Sequence, residues 1–196
     1  MPRLSLPDAG ITLRNNTVLR AAAANLSLPD VRMLSVPLAA GAAATVRLLV
    51  PPQYRDGDAA AYPLLLWLAP SAAPELDTAG APGAADRRWR VDWPAYLSAQ
   101  QSFVVATVQL PAEPPPTERD RLSREPAVGA VEVAALRRVI AHLTGKLSYV
   151  SAGRVLVAGR EYGAYLALSL LGSVESQRLR CAVAVAPITS WELYGE

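Results

Sequence analysis

The sequence predicts an α/β fold with a mostly parallel sheet, and three observations predict it. Four apolar runs of strand length, "YPLLLWLA" (62–69), "SFVVATVQL" (102–110), "GRVLVAG" (153–159) and "CAVAVAP" (181–187), mark strands buried on both faces. Segments of helical character separate them, and strands alternating with helices imply right-handed βαβ units. The stretch "GREYGAY" (159–165) joins one apolar run to the next through paired glycines, Gly159 and Gly163, as a sharp strand-to-helix turn requires. At 196 residues the chain is long enough for one domain with a sizeable core.

The elements follow in order. Residues 1–30 stand outside the alternating pattern, with helical spacing at Leu13, Val18 and Leu19. "VRMLSVPL" and "ATVRLLVPP" flank the flexible "AAGAA", which predicts a hairpin over 31–50, ended by Pro51 and Pro52 because neither can donate to a ladder. After the buried strand at 62–69, residues 70–88 are rich in Ala, Pro, Gly and Asp and read as a long loop. "DWPAYLSAQQ" predicts a helix with Asp92 as N-cap, leading into the second buried strand. "PAEPPPTERDRLSREP" (111–126) reads as an exposed, mobile loop, whose charged part is a solvated surface or a partner epitope. From Ala127 to Leu143, Val131, Ala135, Val139 and Leu143, with Leu136 and Ile140 beside them, trace an amphipathic helix. A strand at 153–159, a helix from about Tyr162 to Leu171 and a strand from Cys181 complete the series.

Composition removes several function classes. The net charge is +2 and no basic run interleaves with aromatics, so nucleic acid is not an expected partner. Lys146 is the only lysine among 19 basic residues, a bias of coding rather than an arginine site. No stretch reaches the roughly 20 apolar residues that span a bilayer, and the N-terminus lacks the order of a signal peptide, so no address or membrane segment is expected in this chain. With one cysteine, Cys181, and one histidine, His142, neither an internal disulfide nor a thiolate or histidine metal site is expected, and no cofactor is implied. The triplets "NNT" at Asn15 and "NLS" at Asn25 are glycosylation acceptors if the protein is lumenal or extracellular.

The turn at 159–163 carries the functional question. The pattern G-x-S-x-G lifts a serine nucleophile to the top of a parallel sheet, and here the central position is Glu161, followed by Tyr162. A carboxylate cannot form an acyl-enzyme by the serine route, and an ester intermediate on an acidic residue needs a histidine-activated water to clear it. His142 precedes the turn, on a helix expected against the sheet, and reads as a surface or half-buried helical residue. The plainer reading of Glu161 is a carboxylate stabilised by the unpaired N–H groups and dipole of a helix N-terminus, typically by about 0.3–1 kcal/mol.

"LLVPPQY", "YPLLLWL", "VDWPAYLSAQQSFVVATV", "GRVLVAGREYGAY" and "CAVAVAPITSWELY" resemble, in order and spacing, the α/β-hydrolase domain of the dipeptidyl peptidase IV family of serine peptidases. "LRNNTVLRAAAANLSLPDV" resembles the segment leaving that family's β-propeller. The resemblance implies an α/β-hydrolase fold, C-terminally truncated, in which residues 1–30 are the propeller exit and linker and 31–196 a partial peptidase-like domain. It puts Glu161 at the serine position and, aligned without gaps, Ala69 where active members carry an oxyanion-hole tyrosine; losing one such donor costs about 100- to 1,000-fold in turnover. An acidic-glycine-arginine-glycine motif falls on "QLPA" (109–112) and is absent. In this fold the order is Ser, Asp, His, and no histidine follows Glu161 here. The family pairs the cysteine matching Cys181 with a downstream partner that this chain lacks. Trp191 and Glu192 match a family segment after the strand and are expected to pack and cap.

Three functions follow as expectations. The first is a catalytically inactive member, resembling the subgroup with an acidic elbow residue: single-pass type II membrane glycoproteins on the extracellular face of the plasma membrane, which form homodimers and modulate voltage-gated potassium channels. The second is a serine-type dipeptidyl peptidase that releases N-terminal dipeptides after Pro or Ala. The third is a fragment without independent function, poorly soluble because an unpaired sheet edge and an uncovered apolar face invite aggregation.

Overall fold

The computed structural model describes residues 15–57, 61–68, 92–111, 128–173 and 179–193. A helix α1 (Thr17–Ala24) buries none of its residues. The hairpin expected over 31–50 is β1 (Asp30–Pro37) and β2 (Ala43–Val50), joined by one 3-10 turn at Ala39–Gly41. β3 (Tyr62–Leu68) is the first strand buried on both faces, followed by α2 (Trp93–Gln101), β4 (Val104–Gln109), α3 (Ala130–Lys146), β5 (Val150–Arg160), α4 (Tyr162–Gly172) and β6 (Leu179–Val185).

The six strands form one sheet in the order β1-β2-β4-β3-β5-β6. β1, β2 and β4 pair antiparallel in sequence, while β4-β3, β3-β5 and β5-β6 are parallel. The path therefore reverses between β3 and β5: β3 crosses through α2 to β4 on one side, and β5 crosses through α4 to β6 on the other. In open α/β sheets, ligands bind beyond the carboxyl ends of the strands at such a switch point.

The parity of the strands sorts the core into two layers. Leu64 and Leu66 of β3, Val155 and Val157 of β5 and Leu48 of β2 face α3 and α4, which contribute Leu136, Val139, Ile140 and Leu143, and Leu166, Ala167 and Leu170. Leu49, Leu65, Val105 and Ala158 face the other way, against Ala95 of α2. Both layers draw on the same strands, which is why the sequence shows unbroken apolar runs there instead of alternation. α2 begins as expected, with the Asp92 carboxylate accepting the Ala95 N–H at 3.3 Å.

Two details differ from expectation. The amphipathic helix starts at Ala130 rather than Ala127 and runs on to Lys146, so Val131 falls in its first turn, beyond the sheet it was expected to cover, and is exposed. β5 begins at Val150, ahead of the expected Gly153, because it pairs with the start of β3 through an irregular register at Tyr62. The long loops expected at 70–88 and 111–126 lie outside the described residues, apart from Pro111, as does Leu13.

β6 is the last strand of the described sheet, with no partner on its outer edge among the described residues. Its pairing puts Cys181, Val183 and Val185 on the face shared with α2. α2 lies over β2 and β4 and does not reach there, so Val183 is 53% and Val185 52% exposed.

Candidate functional site at the β5–α4 elbow

The turn from β5 into α4 sits at the switch point, and its geometry follows from its two glycines. A Cβ on Gly159 would collide with the carbonyl of Gly163 and lie 2.7 Å from the Ala164 nitrogen. Only glycine lets the strand end and the first helical turn approach so closely. Reversing direction in that space forces the residue between them into φ 54°, ψ −116° at Glu161, a conformation that costs a side-chain-bearing residue about 1–3 kcal/mol. The surroundings hold it there: the Glu161 N–H donates to the Val185 carbonyl at 3.0 Å, and its own carbonyl accepts the Tyr165 N–H at 3.1 Å, opening α4. Val185 precedes Ala186, another residue other than glycine with positive φ.

The Glu161 side chain is half exposed, with Oε1 3.2 Å from Arg160 Nε. It makes no hydrogen bond to the first N–H groups of α4, so the stabilisation expected from them is left to the field of the helix N-terminus alone. A capping residue holds extended backbone angles that turn its side chain onto the first N–H groups; the left-handed φ of Glu161 prevents this. The pair with Arg160 is a solvent-exposed ion pair and contributes little, about 0–1 kcal/mol.

Tyr162 and Tyr165, one helical turn apart, face α3 and the segment after β6. The Tyr162 hydroxyl donates to Glu132 Oε1 at 2.8 Å and the Tyr165 hydroxyl to the Val128 carbonyl at 2.7 Å. Burial, reinforced by the hydrogen bond to Glu132, pushes the Tyr162 hydroxyl well above the usual tyrosine range, so it remains a donor. Trp191 meets Tyr165 edge-on, centroids 5.2 Å apart, and Tyr162 at 6.2 Å. Trp191 packs one face against these rings and leaves the rest exposed, and Glu192 is exposed as well. A shallow depression of about 440 Å³ opens beside this group, between Val128, Val133, Tyr165 and Trp191.

Gly159, Glu161, Tyr162 and Gly163 lie in the turn from β5 into α4. Ala69 lies outside the described residues. His142 is partly buried on α3, ten residues beyond Glu132, which places it about 15 Å further along the helix axis. Cys181 is an exposed free thiol on β6. Asn15 and Asn25 are exposed, Asn25 closing the C-terminus of α1. Glu132 was missed: in the sequence it is one acidic residue in a helical first turn, and its partner is 30 residues away. Among the described residues no cluster of His, Cys, Asp and Glu is placed to hold a metal, and no helix is long and apolar enough to cross a membrane.

A model of the prolyl oligopeptidase family matches residues 89–196, more than half of the chain and the part containing the elbow. The chain belongs to the prolyl oligopeptidase family. Among curated proteins it is 27% identical over 191 residues to a probable dipeptidyl-aminopeptidase B of Uncinocarpus reesii, covering 93% of this chain and 19% of that protein. It is 24% identical to dipeptidyl peptidase 4 of Bos taurus, covering 93% of this chain and 22% of that one. Among solved structures, dipeptidyl peptidase 4 of Porphyromonas gingivalis superposes with a TM-score of 0.64 at 21% identity, over 91% of this chain and 24% of that one. The acylaminoacyl peptidase of Pyrococcus horikoshii gives 0.61 at 12% identity, over 90% and 25%. The fold is therefore that of the α/β-hydrolases, and the chain spans about a fifth to a quarter of the length of these relatives.

Proposed function

We propose that this chain belongs to a catalytically inactive dipeptidyl peptidase-like protein, whose role is to bind and modulate a partner. One observation carries the reading: the nucleophile position of a fully formed elbow holds Glu161. The strained turn, the Gly159 contact and the tie to β6 are all in place, yet the side chain they present is a carboxylate that cannot attack by the serine route. The oxyanion-donor position, assigned by resemblance to Ala69, supports the same conclusion.

In this reading the full-length protein is a type II membrane glycoprotein at the extracellular face of the plasma membrane, dimeric, with glycans at Asn15 and Asn25. Cys181 forms a disulfide with a residue beyond this chain, and the partner is a voltage-gated potassium channel. The test is hydrolysis of a Gly-Pro chromogenic substrate by the purified full-length protein. No turnover is expected, together with altered channel gating on co-expression. Turnover abolished by Glu161→Ala would replace this reading with that of an active dipeptidyl peptidase.

A further inference from the structure

The contact between α3 and the first turn of α4 has no part in the reading above, and it bears directly on the elbow. Tyr162 follows the strained residue immediately and is the first residue of α4. Its hydroxyl reaches Glu132 at 2.8 Å in a partly buried position, and its ring is flanked by Tyr165 at 6.0 Å and Trp191 at 6.2 Å. Gly129, at φ 82°, brings the start of α3 so close that a Cβ there would lie 2.8 Å from the Tyr165 ring. The first turn of α4 thus meets rings and two directional contacts, Tyr165 to the Val128 carbonyl and Tyr162 to Glu132, and only the second lies on the residue next to position 161.

We propose that Glu132 is a positioning residue for the elbow: by accepting the Tyr162 hydroxyl it fixes the first turn of α4, and with it the backbone at position 161. The rings supply area, which tolerates sliding and rotation. The charge-assisted hydrogen bond sets one distance and one direction. Because the Tyr162 hydroxyl is held protonated, the bond persists across the neutral range. The proposal concerns the geometry of the turn and stands whether or not the full-length protein turns over a substrate.

The experiment places a reporter at the elbow. In the full-length protein with Cys181→Ser, Glu161→Cys introduces a thiol at the elbow, and the alkylation by iodoacetamide that it adds over the Cys181→Ser parent, followed across pH, reads its ionisation. A thiol beside the first turn of a helix titrates below the ordinary value of about 8.5 through the field of the unpaired N–H groups, without a hydrogen bond to them. Glu132→Ala and Tyr162→Phe are each expected to slow alkylation near pH 7 by about three- to tenfold, by moving the midpoint up. Glu132→Gln, which keeps an acceptor oxygen, is expected to restore the parent profile.

The sign separates positioning from charge. Removing the Glu132 charge alone favours the thiolate and moves the midpoint down, equally for Ala and Gln. Arg32→Ala, at the far end of the sheet, serves as a destabilising control that leaves the midpoint unchanged. Circular dichroism establishes folding for each variant, and Tyr162→Phe, which removes one oxygen atom, carries the test if Glu132→Ala does not fold. Unchanged midpoints in folded Glu132→Ala and Tyr162→Phe, or a downward shift shared by Glu132→Ala and Glu132→Gln, would overturn the proposal.

Discussion

The two ends of the sheet are built on opposite principles. At the end where β3 and β5 begin, Arg32 of β1 is enclosed by complementary groups: Asp30 Oδ2 at 3.0 Å, Asp56 Oδ1 at 3.3 Å, and the Tyr54 and Tyr149 rings with centroids 5.4 and 5.7 Å from its guanidinium carbon. The hydrogen bond to Asp30, with the charge of Asp56 behind it, holds the guanidinium even further above its already high pKa, against the opposing effect of burial. At the end where β5 stops, a strained backbone presents Glu161 to solvent. The first end spends its polar groups on each other. The second holds a side chain out where a ligand would meet it, as expected at a switch point of crossovers.

The largest effect expected from breaking this contrast comes from Gly159. Gly159→Ala drives a methyl group into the Gly163 carbonyl and the Ala164 nitrogen, which are backbone and cannot swing aside. The loss is expected to be about 3 kcal/mol or more, enough to abolish cooperative folding in a marginal domain, and thermal melting followed by circular dichroism reads it directly. A variant that melts like the parent would mean that the elbow is not held by this contact.

A smaller effect has opposite signs at the two ends. Glu161→Gly relieves the φ 54° strain while loosening the unfolded chain, and is expected to stabilise by about 1 kcal/mol. Arg32→Ala removes both the ring contacts and the ion pairs, and is expected to destabilise by about 1 kcal/mol, with the partly exposed ion pairs contributing the lesser share. Urea midpoints at constant m-value measure both changes. Like signs would remove the distinction between an end built for stability and an end built to display a side chain.

What could be read in advance divides along the same line. The elbow was legible because glycines at fixed spacing between two apolar runs have few explanations, and the strands were legible because burial on both faces leaves an unbroken apolar run. The Arg32 cluster was not, because Asp30, Asp56 and Tyr149 come from three separate stretches of chain and meet only when β1 and β5 are brought to the same sheet end. Glu132 escaped for the same reason. The absence of a hydrogen bond from α4 to Glu161 was hidden differently: a carboxylate at a helix N-terminus is favoured by the dipole, but the turn fixes a backbone angle that keeps the side chain off the first N–H groups, and local preference yields to the closure of Gly159 on Gly163.

The smallest effect tests the packing behind the elbow rather than the elbow itself. Tyr162 has a folded pKa raised above its unfolded value, by burial first and by Glu132 second. Its neutral form is therefore favoured by folding, and that contribution is fully present below about pH 10, the ordinary tyrosine value. Above that pH the unfolded chain releases the proton before the folded one does, so stability falls as pH rises toward the folded pKa. Tyrosinate absorbance in the folded protein is expected to show Tyr162 ionising last, beyond Tyr54 and Tyr149, which burial also raises, and Tyr162→Phe to remove both that last step and its share of the alkaline loss. If Tyr162→Phe left the alkaline titration unchanged, the hydroxyl would be solvated rather than bound to Glu132. The first turn of α4 would then be held by its rings and by the Tyr165–Val128 hydrogen bond.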